Sequence, residues 1–316
     1  RTLEVTRQKS VRTPDSKLAK NYGTNDRMIR YKHFNEYFYM DTLKATEKGG
    51  KSTRGNIYCQ LFVTDRGFLY VVPMKSRSEV ILAVKQFAKD IGVPDAIICD
   101  ASGEQSSIKL RQFCQEIGTT LRYIEEGTPW ANKAELYIGL IKEATRKDMK
   151  EANSPLALWD YCMERRARIM NLIAKKRFNL EGTNAYTQLM SEEADISNIC
   201  QYKWYEWCYY CERINKYPFT QEVLGRVLGP AKDEGNEMAQ WILKANGRVV
   251  PRCTLRPLSV EDLHNPIEVK KREIFNSLIK KRWGDSITPP PVSKSVAEEW
   301  EEYADEIEEP RKIPEI

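Results

Sequence analysis

Ala96-Ile97-Ile98-Cys99-Asp100 is the stretch whose reading decides the fold, because four residues without a charged or amide side chain run straight into a carboxylate. A short run that is apolar at every position is buried on both faces, which is the signature of a central strand in a parallel or mixed sheet. Before it, Val80, Ile81, Val84, Phe87, Ala88 and Ile91 recur at three- and four-residue spacing and predict a helix over 78–91, with Pro94 ending the connection. After it come a predicted helix at 108–117 and a strand at 120–123. A strand, helix, strand order of this kind calls for a crossover between parallel strands.

Working outward, residues 36–43 read as a strand containing Phe38-Tyr39-Met40-Asp41, and 57–63 and 68–72 as two strands joined by the turn Thr64-Asp65-Arg66-Gly67. Downstream, helices are expected at 132–151 and 156–175. Three strands, helix, strand, helix, strand and two helices make an α/β chain with a mixed sheet and flanking helices, compatible with the ribonuclease H-like architecture. Beyond 181 the texture changes. Tyr202, Trp204, Tyr205, Trp207, Tyr209 and Tyr210 crowd together, and short strand-like runs at 222–227, 239–244 and 248–253 are punctuated by Gly225, Gly229, Gly235 and Gly247. We read 200–260 as a small antiparallel β module. The expected division is a basic, largely unstructured arm at 1–34, a catalytic core at 35–190, the β module at 200–260, and a basic then acidic linker or tail at 261–316.

Composition narrows the chemistry. The chain has 316 residues, 41% hydrophobic and 30% charged, which suits a folded protein and excludes a fibrous or disordered one. No apolar run approaches the roughly 18 residues of a membrane span, and no signal peptide is visible, so the expected location is intracellular. Eight cysteines at irregular positions read as reduced core thiols. The Cys208-Tyr-Tyr-Cys211 pair has zinc-finger spacing but no second pair follows. With only His33 and His264 in the chain, zinc or histidine acid–base chemistry has few groups to use. The basic arm holds nine Lys/Arg against three Asp/Glu, and the last 23 residues hold nine acidic against three basic side chains. The arm is either a phosphate-backbone contact or a solvated tail. Two basic triplets, Lys270-Lys271-Arg272 and Lys280-Lys281-Arg282, flank an amphipathic stretch, as surface charge or a nuclear-entry signal.

Three acids follow apolar context or open a helix: Asp41 in the first strand, Asp100 at the end of the fourth, and Glu135 in the first turn of the helix from 132. Acids at such places also serve as solubility and capping groups. If the strands carrying Asp41 and Asp100 are adjacent, however, both carboxylates emerge together, as a two-metal phosphodiester site requires. At 100° per residue, Lys142, Arg146 and Lys150 lie within about 60° of Glu135, while Leu140, Ile141 and Ala144 are expected to pack on the sheet.

These residues carry a family resemblance. Asp41, Asp100 and Glu135, the segment Leu61-Phe62-Val63-Thr64-Asp65, the stretch Met74-Lys75-Ser76-Arg77-Ser78-Glu79-Val80, and Thr128-Pro129-Trp130-Ala131-Asn132-Lys133-Ala134-Glu135 together resemble the integrase region of copia-type long-terminal-repeat retrotransposon polyproteins, over about 36–260. The resemblance implies a D, D, E triad at Asp41, Asp100 and Glu135 that holds two Mg²⁺ or Mn²⁺ ions and joins DNA ends to target DNA. The basic stripe of Lys142, Arg146 and Lys150 on the face of Glu135, together with Lys133, is either a DNA-backbone contact or a solvated helix face, and the expected state is a homo-oligomer in a cytoplasmic particle and the nucleus. The sequence departs from the pattern in places. The Asp100 to Glu135 interval is one residue short, Lys133 replaces a glycine, Asp100-Ala101-Ser102-Gly103-Glu104-Gln105 lacks the usual aromatic, and the paired His and Cys of a zinc-binding N-terminal module are absent from 1–40. The alternatives are an inactive or domesticated DNA-binding or assembly module of the same fold, and a ribonuclease H acting on RNA/DNA hybrids.

Overall fold

In a computed structural model, the structure describes residues 31–45, 50–101, 103, 105–125, 132–174, 182–212, 221–232 and 234–284. The basic arm through residue 30 and the acidic tail therefore lie outside the described residues. Strands β1 (His33–Lys44), β2 (Tyr58–Thr64) and β3 (Leu69–Met74) precede helix α1 (Val80–Asp90), which is entered through a single 3₁₀ turn at Arg77–Glu79. Strand β4 (Val93–Cys99), helix α2 (Ile108–Ile117), strand β5 (Thr120–Tyr123) and helices α3 (Lys133–Glu151) and α4 (Trp159–Leu172) complete the core.

The sheet runs in the order β3-β2-β1-β4-β5, with β1, β2 and β3 antiparallel and β1, β4 and β5 parallel. This hairpin start followed by parallel additions, with helices on both faces, is the ribonuclease H-like topology expected from the order of elements. β2 alternates Leu61 and Val63 to one face and Phe62 to the other, and all three are fully buried. On one face Phe87 of α1 packs between the rings of Phe38 and Phe62, at 4.9 and 4.5 Å. On the other, Leu61, Val63, Leu69 and Val71 meet Ile141 of α3 and Cys162 and Met163 of α4.

Pro94 does not end the α1–β4 connection. It lies inside β4, opposite Phe34, and the chain instead turns at Gly92, at φ 140°, where a Cβ would lie only 2.5 Å from the Lys32 carbonyl oxygen. Helix α2 has the expected bounds because both ends are locally specified: the Ser107 side chain accepts from the Leu110 amide, and Gly118 closes the helix at φ 79°. Helix α4 is shorter than the expected 156–175, starting after one 3₁₀ turn at Leu156–Leu158.

After α5 (Ala185–Met190) and α6 (Ser197–Cys200), strands β6 (Trp207–Glu212), β7 (Gln221–Pro230), β8 (Gln240–Leu243), β9 (Val249–Arg252) and β10 (Leu255–Pro257) form a second, wholly antiparallel sheet in the order β10-β6-β7-β8-β9. Cys208 and Cys211 lie three apart on β6 and so point to opposite faces, which removes them as a metal pair. The stretch read as linker from 261 is helical as far as Trp283, in α7 (Val260–His264) and α8 (Pro266–Trp283). Phe275 and Ile279 of α8 are buried in the same apolar cluster as Leu61 and Ile141, so α8 is part of the packed body. Both triplets sit on α8, where Arg272 donates to the Asp262 and Leu263 carbonyls and Arg282 to the Asn246 carbonyl. These arginines close the fold. Among the described residues, no helix is long and apolar enough to cross a membrane.

Candidate active site

The parallel register of β1 and β4 sets Met40 against Cys99, and the next residue of each chain is an acid. Asp41, still within β1, and Asp100, just past the end of β4, therefore lie side by side on adjacent strands. Asp41 is half-buried, accepting at 2.6 Å from the Thr42 amide, whereas Asp100 is exposed. Glu135 is brought to them by the residue that starts α3. Asn132, only 3% exposed, accepts from the Ala134 amide as N-cap and donates through Nδ2 to Asp100 Oδ1 at 3.1 Å. A single side chain thus ties the end of β4 to the start of the helix that bears Glu135.

The consequence appears on Asp41, whose pKa is pushed up from 3.8 to about 6. Burial is the main cause. The Thr42 amide opposes it, Asp100 and Glu135 add to it by repulsion, and a hydrogen bond from Gln105 opposes it. Two carboxylates, Asp100 and Glu135, are thus within electrostatic reach of Asp41, whose ionisation burial and their charge disfavour. Their oxygens do not converge, and among the described residues no three His, Cys, Asp or Glu side chains meet at metal-ligating geometry. Chemically the set fits a hard divalent cation, since it offers only carboxylate oxygens and concentrates negative charge that such an ion would relieve.

This arrangement has a measurable signature. The folded protein holds the Asp41 proton to higher pH than the unfolded chain does, so the cost of ionising it is absent below about pH 4, grows as pH rises, and is complete above about pH 6. Asp41→Asn is expected to stabilise the metal-free protein at pH 7.5 by about 1–2 kcal/mol, allowing for partial exposure, and to flatten the fall in Tm between about pH 4 and 6. Mn²⁺ should raise the Tm of the unaltered protein and leave that of the variant unchanged. A variant with the original pH profile would exclude Asp41 as the group responsible.

Of the cations expected to grip DNA, Lys142 stands beside the acids. Burial lowers its pKa, the Asp41 charge pulls it back up, and Arg146, the next on the stripe, lowers it. Lys150 is exposed at the far end of the helix. Lys133 points elsewhere, pairing with Asp65 in the β2–β3 turn and lying 5.6 Å over the Tyr39 ring. The sheet-facing side of α3 is Ala134, Tyr137, Ile141, Thr145 and Met149. Leu140 and Ala144 are only partly buried, because the stripe of buried residues lies about 100° from Glu135 rather than opposite it. The expected motif segment up to Ala131, and Ser102 and Glu104, lie outside the described residues.

Two residues without a role in the sequence reading belong to this site. Asn132 is the tether. Gln105, 1% exposed, donates to Asp41 and leaves its own Oε1 without a partner among the described residues. Its only signal was an amide where the resembling pattern has an aromatic. Asn132→Ala and Asn132→Ser separate the two jobs of the tether: serine caps as well as asparagine but is too short to reach Asp100. The alanine variant is expected to lose about 1 kcal/mol of stability and the serine variant almost none. Any joining activity should fall by about tenfold or more in both. Full activity in the serine variant would assign Asn132 to capping alone.

No protein-family model matches this sequence, and no curated protein does. Among solved structures, the chain is similar to the HTLV-2 integrase catalytic core domain in complex with magnesium, in a trimeric and a dimeric form. Each shares 20% identity with it at a TM-score of 0.38, and the match covers 50% of this chain and 98% or 97% of the other. It is also similar to a chain of the simian T-cell lymphotropic virus intasome in complex with the PP2A regulatory subunit B56 gamma, with 14% identity, a TM-score of 0.42, and coverage of 78% of this chain and 99% of that one. The ribonuclease H-like topology stands on the strand order itself.

Proposed function

We propose that this chain is a DDE-type polynucleotidyl transferase, the integrase of a copia-type retrotransposon, which joins a DNA 3′-hydroxyl to a target phosphodiester. The observation that carries the reading is the meeting of Asp41, Asp100 and Glu135 from three separate elements, close enough that the latter two raise the pKa of the first. A structural role would not gather two like charges around a third, half-buried carboxylate. Asp41, Asp100 and Glu135 would hold two Mg²⁺ or Mn²⁺ ions, which when bound stabilise charge on the attacking and leaving oxygens. Asp41 is the least solvated of the three and needs a cation most. Asn132 orients Asp100, and Gln105 orients Asp41. Lys142, Arg146 and Lys150 run from the acids along one face of α3 and would carry the DNA backbone, with Lys133 available on exchange of Asp65 for a phosphate. Element ends and target DNA are then the partners, and a homo-oligomer would present both ends.

A second reading, a DNA-binding or assembly module without catalysis, is favoured by one observation: the three carboxylates do not converge to ligating distances. Incubation of the purified chain with a labelled element-end duplex and plasmid target, in Mn²⁺ and in EDTA, decides between them. Joining in Mn²⁺ alone is expected. Salt-sensitive binding without joining would establish the inactive module.

A further inference from the structure

A cavity of about 500 Å³ lies where β3, α1 and α4 of the core meet the β7–β8 part of the second sheet, and none of the three acids of the active site lines it. Its volume is that of a small-ligand site. The lining is unusual in charge. Arg54, Lys85, Lys89, Arg165, Arg168 and Lys232 face only two carboxylates, Asp90 and Glu164. Counting Asp160, which binds Arg54 from behind at 2.8 Å, three positive charges remain uncompensated.

The cations are not spent on one another's neighbours. Arg54 and Lys232 share Glu164, at 2.6 and 3.7 Å, and Arg165 lines the wall with its stem while its Nη2 donates to the Tyr202 carbonyl at 2.9 Å; Lys85, Lys89 and Arg168 form no ion pair among the described residues. Arg168 Nη1 is buried and has no hydrogen-bond partner there. A guanidinium N–H left unsatisfied away from water is costly unless a ligand completes it. The wall opposite is shaped for close approach. A bulge in β7 between Val227 and Gly229 bends the strand toward α4, and Gly229, at φ 119°, sets its backbone where a Cβ would lie 3.1 Å from Arg165 Cδ. Burial lowers the pKa of Arg168, so its guanidinium is held at a cost that an incoming anion would offset.

We propose that this cavity binds a compact ligand carrying several phosphoryl groups, held by the guanidinium of Arg168 from α4 and the ammoniums of Lys85, Lys89 and Lys232 from the rim. Arginine forks match phosphoryl oxygens in pairs, and the lysines add charge without fixed geometry. Phosphoryl oxygens are also offered by a nucleic-acid backbone. The limited volume of about 500 Å³ and the buried, unpartnered Arg168 Nη1 favour a soluble polyphosphate.

The test uses tripolyphosphate as probe on the whole chain, in EDTA so that chelation does not enter, and at matched ionic strength. Tripolyphosphate at 1 mM is expected to raise Tm by about 2 °C or more. The shift should be lost in Lys85→Glu/Lys89→Glu, which alters two exposed side chains, and in Arg168→Gln, and be kept in Lys281→Glu, which reverses a charge elsewhere. If Arg168→Gln fails to fold, the lysine pair decides alone. No shift in the unaltered protein, or an equal shift in the lysine-pair variant, overturns the proposal. Displacement of bound tripolyphosphate by a short DNA duplex also overturns it, in favour of the nucleic-acid backbone. Because the readout involves neither joining nor divalent metal, failure here leaves the active-site reading untouched.

Discussion

Asp100→Asn is expected to lower metal-dependent joining by about 10³-fold or more while Tm changes by less than about 2 °C. The size follows from what the carboxylate would supply: several kcal/mol of charge stabilisation at the reacting phosphate, at roughly tenfold per 1.36 kcal/mol. The small stability change follows from the surroundings. Asp100 is exposed, just past β4, and among the described residues its side chain accepts one hydrogen bond, from Asn132 Nδ2 at 3.1 Å. An asparagine oxygen accepts that bond equally well, so the cap of α3 and the placement of Glu135 survive. Removing the Asp100 charge also removes one of the repulsions that raise Asp41, so its pKa should fall. A variant that folds, titrates Asp41 lower and has lost joining would locate the defect in metal binding. Undiminished joining in that variant would sink the metal assignment.

The sheet was legible because its signals are local. Ala96-Ile97-Ile98-Cys99-Asp100 names its own strand, and Ser107 and Gly118 mark the ends of α2 to the residue. Side-chain roles set by register are another matter. Asn132 meets Asp100 across 32 positions, and nothing in the neighbourhood of either residue announces the bond. Helix α8 was hidden by its composition: Lys270-Lys271-Arg272 and Lys280-Lys281-Arg282 supply a charge run, whereas its buried anchors are two residues, Phe275 and Ile279, one turn apart. Their burial depends on Trp207, whose ring lies 5.1 Å from Phe275, and on a strand some seventy positions earlier in the chain. The same limit explains Leu140 and Ala144 on α3. Periodicity finds an apolar stripe, but Tyr137 and Thr145, which the sheet and α4 select, are amphipathic and do not advertise it.

Arg54→Met carries the largest expected effect on stability. Asp160, in the first turn of α4, has a side chain 0% exposed and receives Nδ2 of Asn56 at 2.8 Å and the Tyr161 amide at 2.9 Å. Those donors satisfy its oxygens, but the charge is neutralised by Arg54, whose Nε reaches it at 2.8 Å while Nη2 reaches Glu164 at 2.6 Å. Burial alone would raise the Glu164 pKa; Lys232 and Arg54 together hold it below the usual value instead. Methionine keeps much of the volume over the Tyr161 ring, 4.0 Å from the guanidinium, and strands the Asp160 charge. Breaking one side of such a pair costs about 3–5 kcal/mol, and the lower end applies because Arg54 is about one-third exposed. Chemical denaturation should show the midpoint falling by about 1–2 M urea, and Arg54→Met/Asp160→Asn should recover most of the loss, since the double variant has no stranded charge. A loss under about 1 kcal/mol in the single variant would mean that Asn56 and the α4 N-terminus hold Asp160 without help. The turn at residues 50–56 would then be a connection only, and not the clamp that fixes α4, and through the Arg166–Asp148 pair α3, against the sheet.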